Sequence, residues 1–275
     1  MRVITFDVEH GSSHIIRTPK DQVILFDAGS KEDFSPALYL KNVWGISSVR
    51  WFTLTHHDAD HLTDISNIAE HLFVWALHTP DLGDEHLEQL YSEEFSTPLE
   101  VFMEYKKNFT IPVPPMHDPS YDWGGMQFAT FANDFSDFEN PNINNLSVVT
   151  FAKYMGWTFV FPGDLEKAGW QKLLEKPVFQ EWLKSVDIFV ASHHGRESGF
   201  CEEVFNICSP KLVIISDKSS SESSCADKYY SLAQGLYVND PLGKSNMRYV
   251  LTTRRDGAIL VDIDTEGRYS ISTTI

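Results

Sequence analysis

The segment Trp51-Phe-Thr-Leu-Thr-His-His-Asp-Ala-Asp-His61 is the most informative in the chain, because it changes from apolar to charged and polar residues after Thr55. Residues 51–55 form an apolar run of aromatic, β-branched and aliphatic residues, which predicts a buried strand. The residues after the segment are apolar at helical spacing: Leu62, Ile65, Ile68 and Leu72. The pattern therefore predicts a strand that leads into a polar turn, which is followed by a helix.

The polar turn contains two imidazoles and two carboxylates within six residues: His56, Asp58, Asp60 and His61. Such a density of charge is costly in a folded protein unless a counter-charge offsets it. Imidazole and carboxylate are ligands of divalent metal ions, and an ion would offset the repulsion between Asp58 and Asp60. A metal site is therefore favoured over a solvated helix start with Asp58 or Asp60 as the N-cap.

Further candidate ligands follow two later predicted strands. Asp164 comes after Phe161-Pro-Gly163, and His193 and His194 come after an apolar run at 187–191. Strand ends are where open α/β architectures gather functional groups. Each motif alone is common in turns and loops, so their joint occurrence is what indicates a site.

The chain contains two β-rich halves, each accompanied by helical patterns. Predicted strands cover 3–8, 14–17, 23–27, 51–55, 73–77, 126–132, 146–152, 157–161, 187–191 and 212–216. A closing hairpin about Asp256-Gly257 is predicted for 249–252 and 258–263. This pattern predicts an α/β fold with two mixed sheets flanked by helices, an αββα sandwich. A single domain is expected over 1–275, with 79–125 as a cap or inserted connection.

Charge and cysteine content limit the classes of function. The 275 residues carry a net charge of −17, and 51–152 hold 17 acids against Lys106 and Lys107, a net charge of −15. Such a surface would repel duplex DNA, which binds proteins mainly through Lys and Arg. The three cysteines form no C-x-x-C pair, and no apolar run reaches the length of a membrane span. A cytoplasmic protein without membrane insertion is expected.

The motifs in their order resemble the metallo-β-lactamase superfamily and, within it, the soluble β-lactamase-like domain of ComEC-type competence proteins. The resemblance covers nearly the whole chain and implies the αββα sandwich already predicted from the strand pattern. The matching stretches are 6–11, 25–29, 54–61, 144–149, 161–164, 192–195, 213–216 and 252–259.

The resemblance implies one or two divalent metal ions, zinc or manganese, with magnesium as a third candidate. One position would use Asp60, His61, bridging Asp164, and either His193 or His194. The other would use His56, Asp58 and Asp164, with Asn144 or Asn145 as a third ligand or a substrate contact. Asp58 stands where the wider superfamily has His, and oxygen donors make this half of the site harder and weaker. One firm and one labile metal position are therefore expected.

Bound metal implies hydrolysis by an activated water, with Asp60 and Asp164 as catalytic residues. Asp27 is expected to support the polar turn, although it could be a simple turn residue, and His10 could reach the site or remain a loop residue. Arg196 is the expected contact to substrate, against a plain surface role.

The resemblance favours a phosphodiesterase or nuclease that acts on a short or single-stranded nucleic acid or nucleotide. Two alternatives remain: hydrolysis of a small acyl substrate such as a lactone or thioester, and a non-catalytic sensing or assembly module with an impaired metal site. A protein partner is also conceivable, and its nature is left open.

Overall fold

The strands predicted from sequence pair into two large sheets. The structure is a computed structural model, and it describes residues 1–91, 96–218 and 224–274. The strands are β1 (Arg2–Thr5), β2 (His14–Arg17), β3 (Val23–Phe26), β4 (Ser48–Val49), β5 (Trp51–Thr53), β6 (Phe73–Val74), β7 (Leu77–His78), β8 (Gln127–Phe131), β9 (Val149–Tyr154), β10 (Trp157–Phe161), β11 (Ile188–Val190), β12 (Leu212–Ile215), β13 (Leu236–Asn239), β14 (Ser245–Arg248), β15 (Val250–Thr252), β16 (Ile259–Ile263) and β17 (Tyr269–Thr273).

Helices alternate with these strands along the chain. They are α1 (Pro36–Asn42), α2 (Ile65–His71), α3 (Asp84–Leu90), α4 (Thr97–Lys106), α5 (Lys167–Leu174), α6 (Pro177–Lys184), α7 (Glu202–Phe205), α8 (Ala226–Leu232) and α9 (Thr253–Asp256). Within the described residues, none of them combines the length and hydrophobicity that a membrane span requires.

Among the strands described, nine form a first sheet in the order β14-β13-β17-β16-β1-β2-β3-β5-β7, and six form a second in the order β15-β12-β11-β10-β9-β8. The alternation of side chains along each strand builds three layers of core. Val3 and Phe159 lie in the core that contains residues of both sheets, whereas Ile4 and Val160 belong to separate cores shared with helical residues. This arrangement confirms the αββα sandwich.

Parallel pairing brings several strand ends to one edge of the sandwich. β3 runs parallel to β5 in the first sheet, and β10, β11 and β12 are parallel in the second. Parallel strands present their carboxyl ends at the same edge, and the predicted polar motifs follow these strands directly. The topology therefore explains why motifs distant in sequence meet in one place.

The predicted hairpin about Asp256-Gly257 is wrong. β15 pairs with β12 in the second sheet, while β16 pairs with β1 and β17 in the first, so the chain crosses between sheets here. The helix α9 intervenes, and Gly257 adopts φ 65 and ψ −149, a conformation that favours glycine and redirects the chain. The true hairpin joins β16 to β17.

The predicted strand at 73–77 is also divided. β6 pairs with β4 in a separate two-stranded sheet, and β7 pairs with β5 at the edge of the first sheet. A single apolar run cannot reveal that its two ends have different partners.

The predicted cap, 79–125, contains α3 and α4, while its residues 92–95 lie outside the described residues. Phe102 of α4 is fully buried in the core that α2 also lines. This helix is therefore packed against the sandwich, and a cap function for the region stays a prediction.

His14 makes the stability of the fold dependent on pH. Its ring is buried between Thr5 Oγ1 and Ser12 Oγ, each 2.9 Å away, and burial lowers its pKa to about 4. The unfolded chain therefore binds a proton at a higher pH than the folded chain, so the stabilisation present above about pH 6.5 is lost as the pH falls toward 4.

We expect the free energy of unfolding to fall between about pH 7 and pH 5 by roughly 2 kcal/mol more in the wild type than in His14→Gln. Urea unfolding at both pH values measures the difference. Parallel pH profiles for the two proteins would contradict this assignment of His14.

Candidate metal centre

The polar turn after β5 directs two imidazoles inward. Residues 54–58 continue from the strand, and a 3-10 turn at Ala59–His61 precedes α2. His56 and His61 are fully buried, with ring centroids 4.2 Å apart. The strand, turn and helix order predicted from the sequence is present, although the helix begins at Ile65 rather than at Leu62.

Asp27, at the end of β3, holds this turn in place. Its carboxylate accepts hydrogen bonds from Thr55 N at 2.7 Å, Thr55 Oγ1 at 2.9 Å and His61 Nδ1 at 2.8 Å. Because the Thr55 hydroxyl donates to Asp27, it accepts from His56 Nδ1 at 3.1 Å. Asp27 thus orients His61 directly and His56 through Thr55.

Asp164 lies on a tight turn after β10 and is 5% exposed. Its Oδ1 is 3.2 Å from His61 Nε2, and its Oδ2 is 3.3 Å from His194 Nε2 and 3.9 Å from His56 Nε2. The preceding Gly163 has φ 58, and a Cβ there would come within 2.5 Å of Thr55 Oγ1. Only glycine allows the turn to approach the end of the neighbouring sheet this closely.

The two consecutive histidines after β11 have different surroundings. His194 Nδ1 donates to the Ser216 carbonyl at 2.9 Å, and its Nε2 is 3.3 Å from Asp60 Oδ2. In His193, Nδ1 lies 2.9 Å from Ser198 Oγ, and Nε2 accepts from the Arg196 guanidinium at 3.1 Å. The geometry favours His194 as a ligand, because both nitrogens of His193 have protein partners.

Asp58 lies beside His56, whereas the predicted asparagine pair belongs to the 3-10 turn Asn144–Leu146. Asp58 Oδ2 is 3.6 Å from His56 Nε2, and Asp58 Oδ1 accepts a hydrogen bond from the Tyr91 hydroxyl at 3.0 Å. Asn145 Oδ1 accepts from Gly169 N at 2.8 Å, which favours a structural role for this side chain. Asn144 Oδ1 is buried without a hydrogen-bond partner.

Arg196 and His10 approach the cluster from the solvent side. His10 Nε2 is 3.3 Å from Asp60 Oδ2, and the Arg196 guanidinium lies 3.1 Å from His193 Nε2 and 3.4 Å from His10 Nε2. Within 1–91, 96–218 and 224–274, no carboxylate lies within ion-pair distance of Arg196. Its charge therefore remains available to an anion.

The carboxylates create a field that stabilises positive charge. Burial alone would favour neutral forms, but Asp164 and Asp60 outweigh it and raise the pKa of His194 to about 9. Burial likewise opposes ionisation of Asp164, yet His194 and His61 hold the pKa of this carboxyl well below its usual range. A cation at this position would meet the same favourable field.

The orientation of the imidazoles provides a test of whether the residues fit a metal ion. In His56, His61 and His194, Nδ1 faces a hydrogen-bond acceptor, so the neutral form of each ring, which is the form that binds metal, carries its lone pair on Nε2. All three Nε2 atoms are buried, lack a hydrogen-bond partner and face carboxylates. Among the described residues, two groups could hold an ion: His56, His61 and Asp164, and Asp60, His61 and His194.

A family model described as Metallo-beta-lactamase superfamily matches residues 6–193. The chain belongs to this superfamily. Family membership and the two groups of His and Asp residues support a metal-dependent hydrolase. No curated protein sequence matches the chain significantly.

Solved structures of the superfamily fold are similar over most of the chain. The metallo-beta-lactamase fold protein YhfI from Bacillus subtilis has a TM-score of 0.51 and 11% identity, covering 94% of this chain and 99% of its own. A diphosphatase of the PhnP family has a TM-score of 0.49 and 12% identity, covering 94% and 97%. The short form of human tRNase Z has a TM-score of 0.46 and 11% identity, covering 82% and 95%. At these identities the first likeness shows the superfamily fold alone.

Sequence reasoning missed Tyr91 and Ser216. Tyr91 reaches Asp58 from the predicted cap, and Ser216 supplies the carbonyl that orients His194. Ser216 ends a predicted strand, and functional groups gather at strand ends, so its position could have marked it as part of the site. Nothing in the spacing of the superfamily motifs points to Tyr91.

We expect Asp27→Ala to weaken metal binding by about 10- to 100-fold, because His61 and His56 lose the partner that orients them. Calorimetric titration of the chelator-treated protein with Mn²⁺ measures the effect. Asp7→Ala is the matched control, since Asp7 pairs with Lys31 at 2.9 Å on a different strand end. Wild-type affinity in a folded Asp27→Ala protein would contradict the role assigned to Asp27.

Proposed function

We propose that this chain is a metal-dependent phosphodiesterase that acts on short or single-stranded nucleic acids or nucleotides. The observation that carries the proposal is the convergence of three unpartnered imidazole Nε2 atoms on Asp164, beside Asp60. Such a donor set suits a divalent cation and has no evident purpose in a purely structural core.

In this proposal the firm metal position uses Asp60, His61, Asp164 and His194, and the labile position uses His56, Asp58 and Asp164. Asn144 remains a candidate third ligand, because its buried Oδ1 has no other partner. The labile position has one imidazole and one carboxylate of its own, and it shares the carboxylate of Asp164 with the firm position. This composition tolerates manganese or magnesium better than a histidine-rich zinc pair does.

The bound cation would supply Lewis acidity that polarises a phosphoryl oxygen and acidifies a water molecule. Asp60 Oδ2 lies 3.3 Å from both His194 Nε2 and His10 Nε2, at the exposed side of the cluster. From there it can orient the attacking water and accept its proton. Asp164 holds the two halves of the site together.

Three features support a phosphodiester substrate. Arg196 presents a guanidinium beside the cluster, and guanidinium groups match the geometry of phosphate oxygens. The resemblance to ComEC-type domains also favours hydrolysis of a phosphodiester bond. The predicted cap, 79–125, holds ten acids and two lysines, so it would repel a long duplex and admit a short or flexible chain.

Hydrolysis of a small acyl substrate is less well supported. An apolar pocket under the cap would need aromatic side chains from 95–135 beside the metal centre, yet Phe102, Trp123 and Phe128 are buried in the cores of the sandwich. Phe95, another of these residues, lies outside the described residues. A non-catalytic module is disfavoured by the intact cluster around Asp164.

Metal titration tests the two positions separately. We expect chelator-treated protein to bind one equivalent of Mn²⁺ or Zn²⁺ tightly and a second more weakly. Asp58→His should raise the affinity for the second Zn²⁺, because imidazole is a softer donor than carboxylate. Calorimetry provides both affinities. Two tight, stoichiometric zinc ions in the wild type would contradict this division of the site.

Activity tests the proposed reaction. We expect Mn²⁺-dependent cleavage of single-stranded DNA, RNA or cyclic or linear dinucleotides, reduced at least about 100-fold in Asp60→Ala. Glu139→Ala, which removes an exposed acid, should retain wild-type rates. Absence of metal-dependent cleavage of all these substrates would refute a phosphodiesterase.

Arg196→Glu should lower kcat/KM for the substrate that is cleaved by about 10- to 100-fold, the loss expected for a charge-assisted hydrogen bond. Lys244→Glu makes the same charge change at an exposed position of the loop between β13 and β14 and should have little effect. Equal kinetics for the two variants would exclude a phosphate contact by Arg196.

A further inference from the structure

The hydroxyl of Tyr91 connects the predicted cap to the metal centre. Tyr91 directly follows α3, and its hydroxyl donates to Asp58 Oδ1 at 3.0 Å. Asp58 itself is partly accessible, with 34% of its side chain exposed, and its other oxygen, Oδ2, faces His56 Nε2 at 3.6 Å. The phenol therefore engages one carboxylate oxygen and leaves the second directed at the cluster.

The ring of Tyr91 is held by contacts that do not involve Asp58. It packs against a buried cluster made of Leu82, Leu87 and Leu146, with further contacts from the core beneath α2 and α4. Leu146 belongs to the 3-10 turn Asn144–Leu146, which also carries the asparagine pair. The ring position is thus set by packing, and the hydroxyl is the part directed at the metal centre.

A carboxylate needs such a partner more than an imidazole does at the same position. Imidazole offers a single lone pair in a fixed direction, whereas a carboxylate has two equivalent oxygens and can bind through either or both. A hydrogen bond to Oδ1 breaks that equivalence. It also fixes the rotation of the carboxylate, as outer partners of ligating carboxylates do.

We propose that Tyr91 is a positioning residue that fixes Asp58 as a one-oxygen ligand of the labile metal position. This inference rests on the proposed function, because it takes the metal centre as given.

The test is a Mn²⁺ titration of Tyr91→Phe, which removes the hydroxyl and keeps the packed ring. We expect the second equivalent to bind about tenfold or more weakly than in the wild type, and the first equivalent to be unchanged. Tyr105→Phe is the matched control: Tyr105 is a cap tyrosine whose ring packs on Phe109 at 5.2 Å, and it should leave both affinities unchanged. Thermal unfolding in chelator checks that both variants remain folded.

A double-mutant cycle separates positioning from general support of the fold. In an Asp58→His background the carboxylate is gone, so adding Tyr91→Phe should not weaken the second equivalent further. Equal weakening in both backgrounds, or no weakening in either, would overturn the inference. If the wild type itself binds no metal, the proposed function fails; if it binds two and Tyr91→Phe is unchanged, only this inference fails.

Discussion

The buried carboxylate of Asp164 imposes the constraint on which the rest of the centre depends. A negative charge that is 5% exposed must be balanced locally, and four imidazoles have a nitrogen within 4 Å of it: those of His61, His194, His193 and His56, the last two at 3.8 and 3.9 Å. Each of these rings is in turn oriented through its other nitrogen. Three of the imidazoles that stabilise the buried carboxylate also direct unpartnered Nε2 atoms toward it, and such a convergence of donor atoms is what a metal site requires.

The backbone around this point is held in unusual conformations. Asp27, His193 and His194 all have positive φ, at 56, 50 and 55, although none is glycine. Such conformations cost of order 1 kcal/mol each and persist where the surrounding structure enforces them. All three residues stand at strand ends that meet across the two sheets, so the backbone strain is concentrated at the candidate metal centre.

The sequence predicted the layers of the fold and the residue types that the structure brings together around Asp164, because both depend on local patterns. Apolar runs such as 157–161 identify buried strands. The density of charged and imidazole side chains at 56–61 is costly without a counter-ion, so it indicates a metal site whatever the surrounding fold. The crossing at Gly257 was missed, because pairing partners are set by tertiary contacts. The preference for His194 over His193 as a ligand depends on the Ser216 carbonyl. The placement of the Tyr91 hydroxyl beside Asp58 depends on packing of the cap. Neither can be predicted from motif spacing.

Anomalous diffraction from crystals grown with Mn²⁺, recorded at the manganese edge, would locate a bound ion independently of any activity. If Asp164 organises a metal site, we expect a strong peak enclosed by Asp60, His61, Asp164 and His194, with a weaker one toward His56 and Asp58. A manganese-saturated protein with no peak beside Asp164, or with its peaks elsewhere on the molecule, would contradict it.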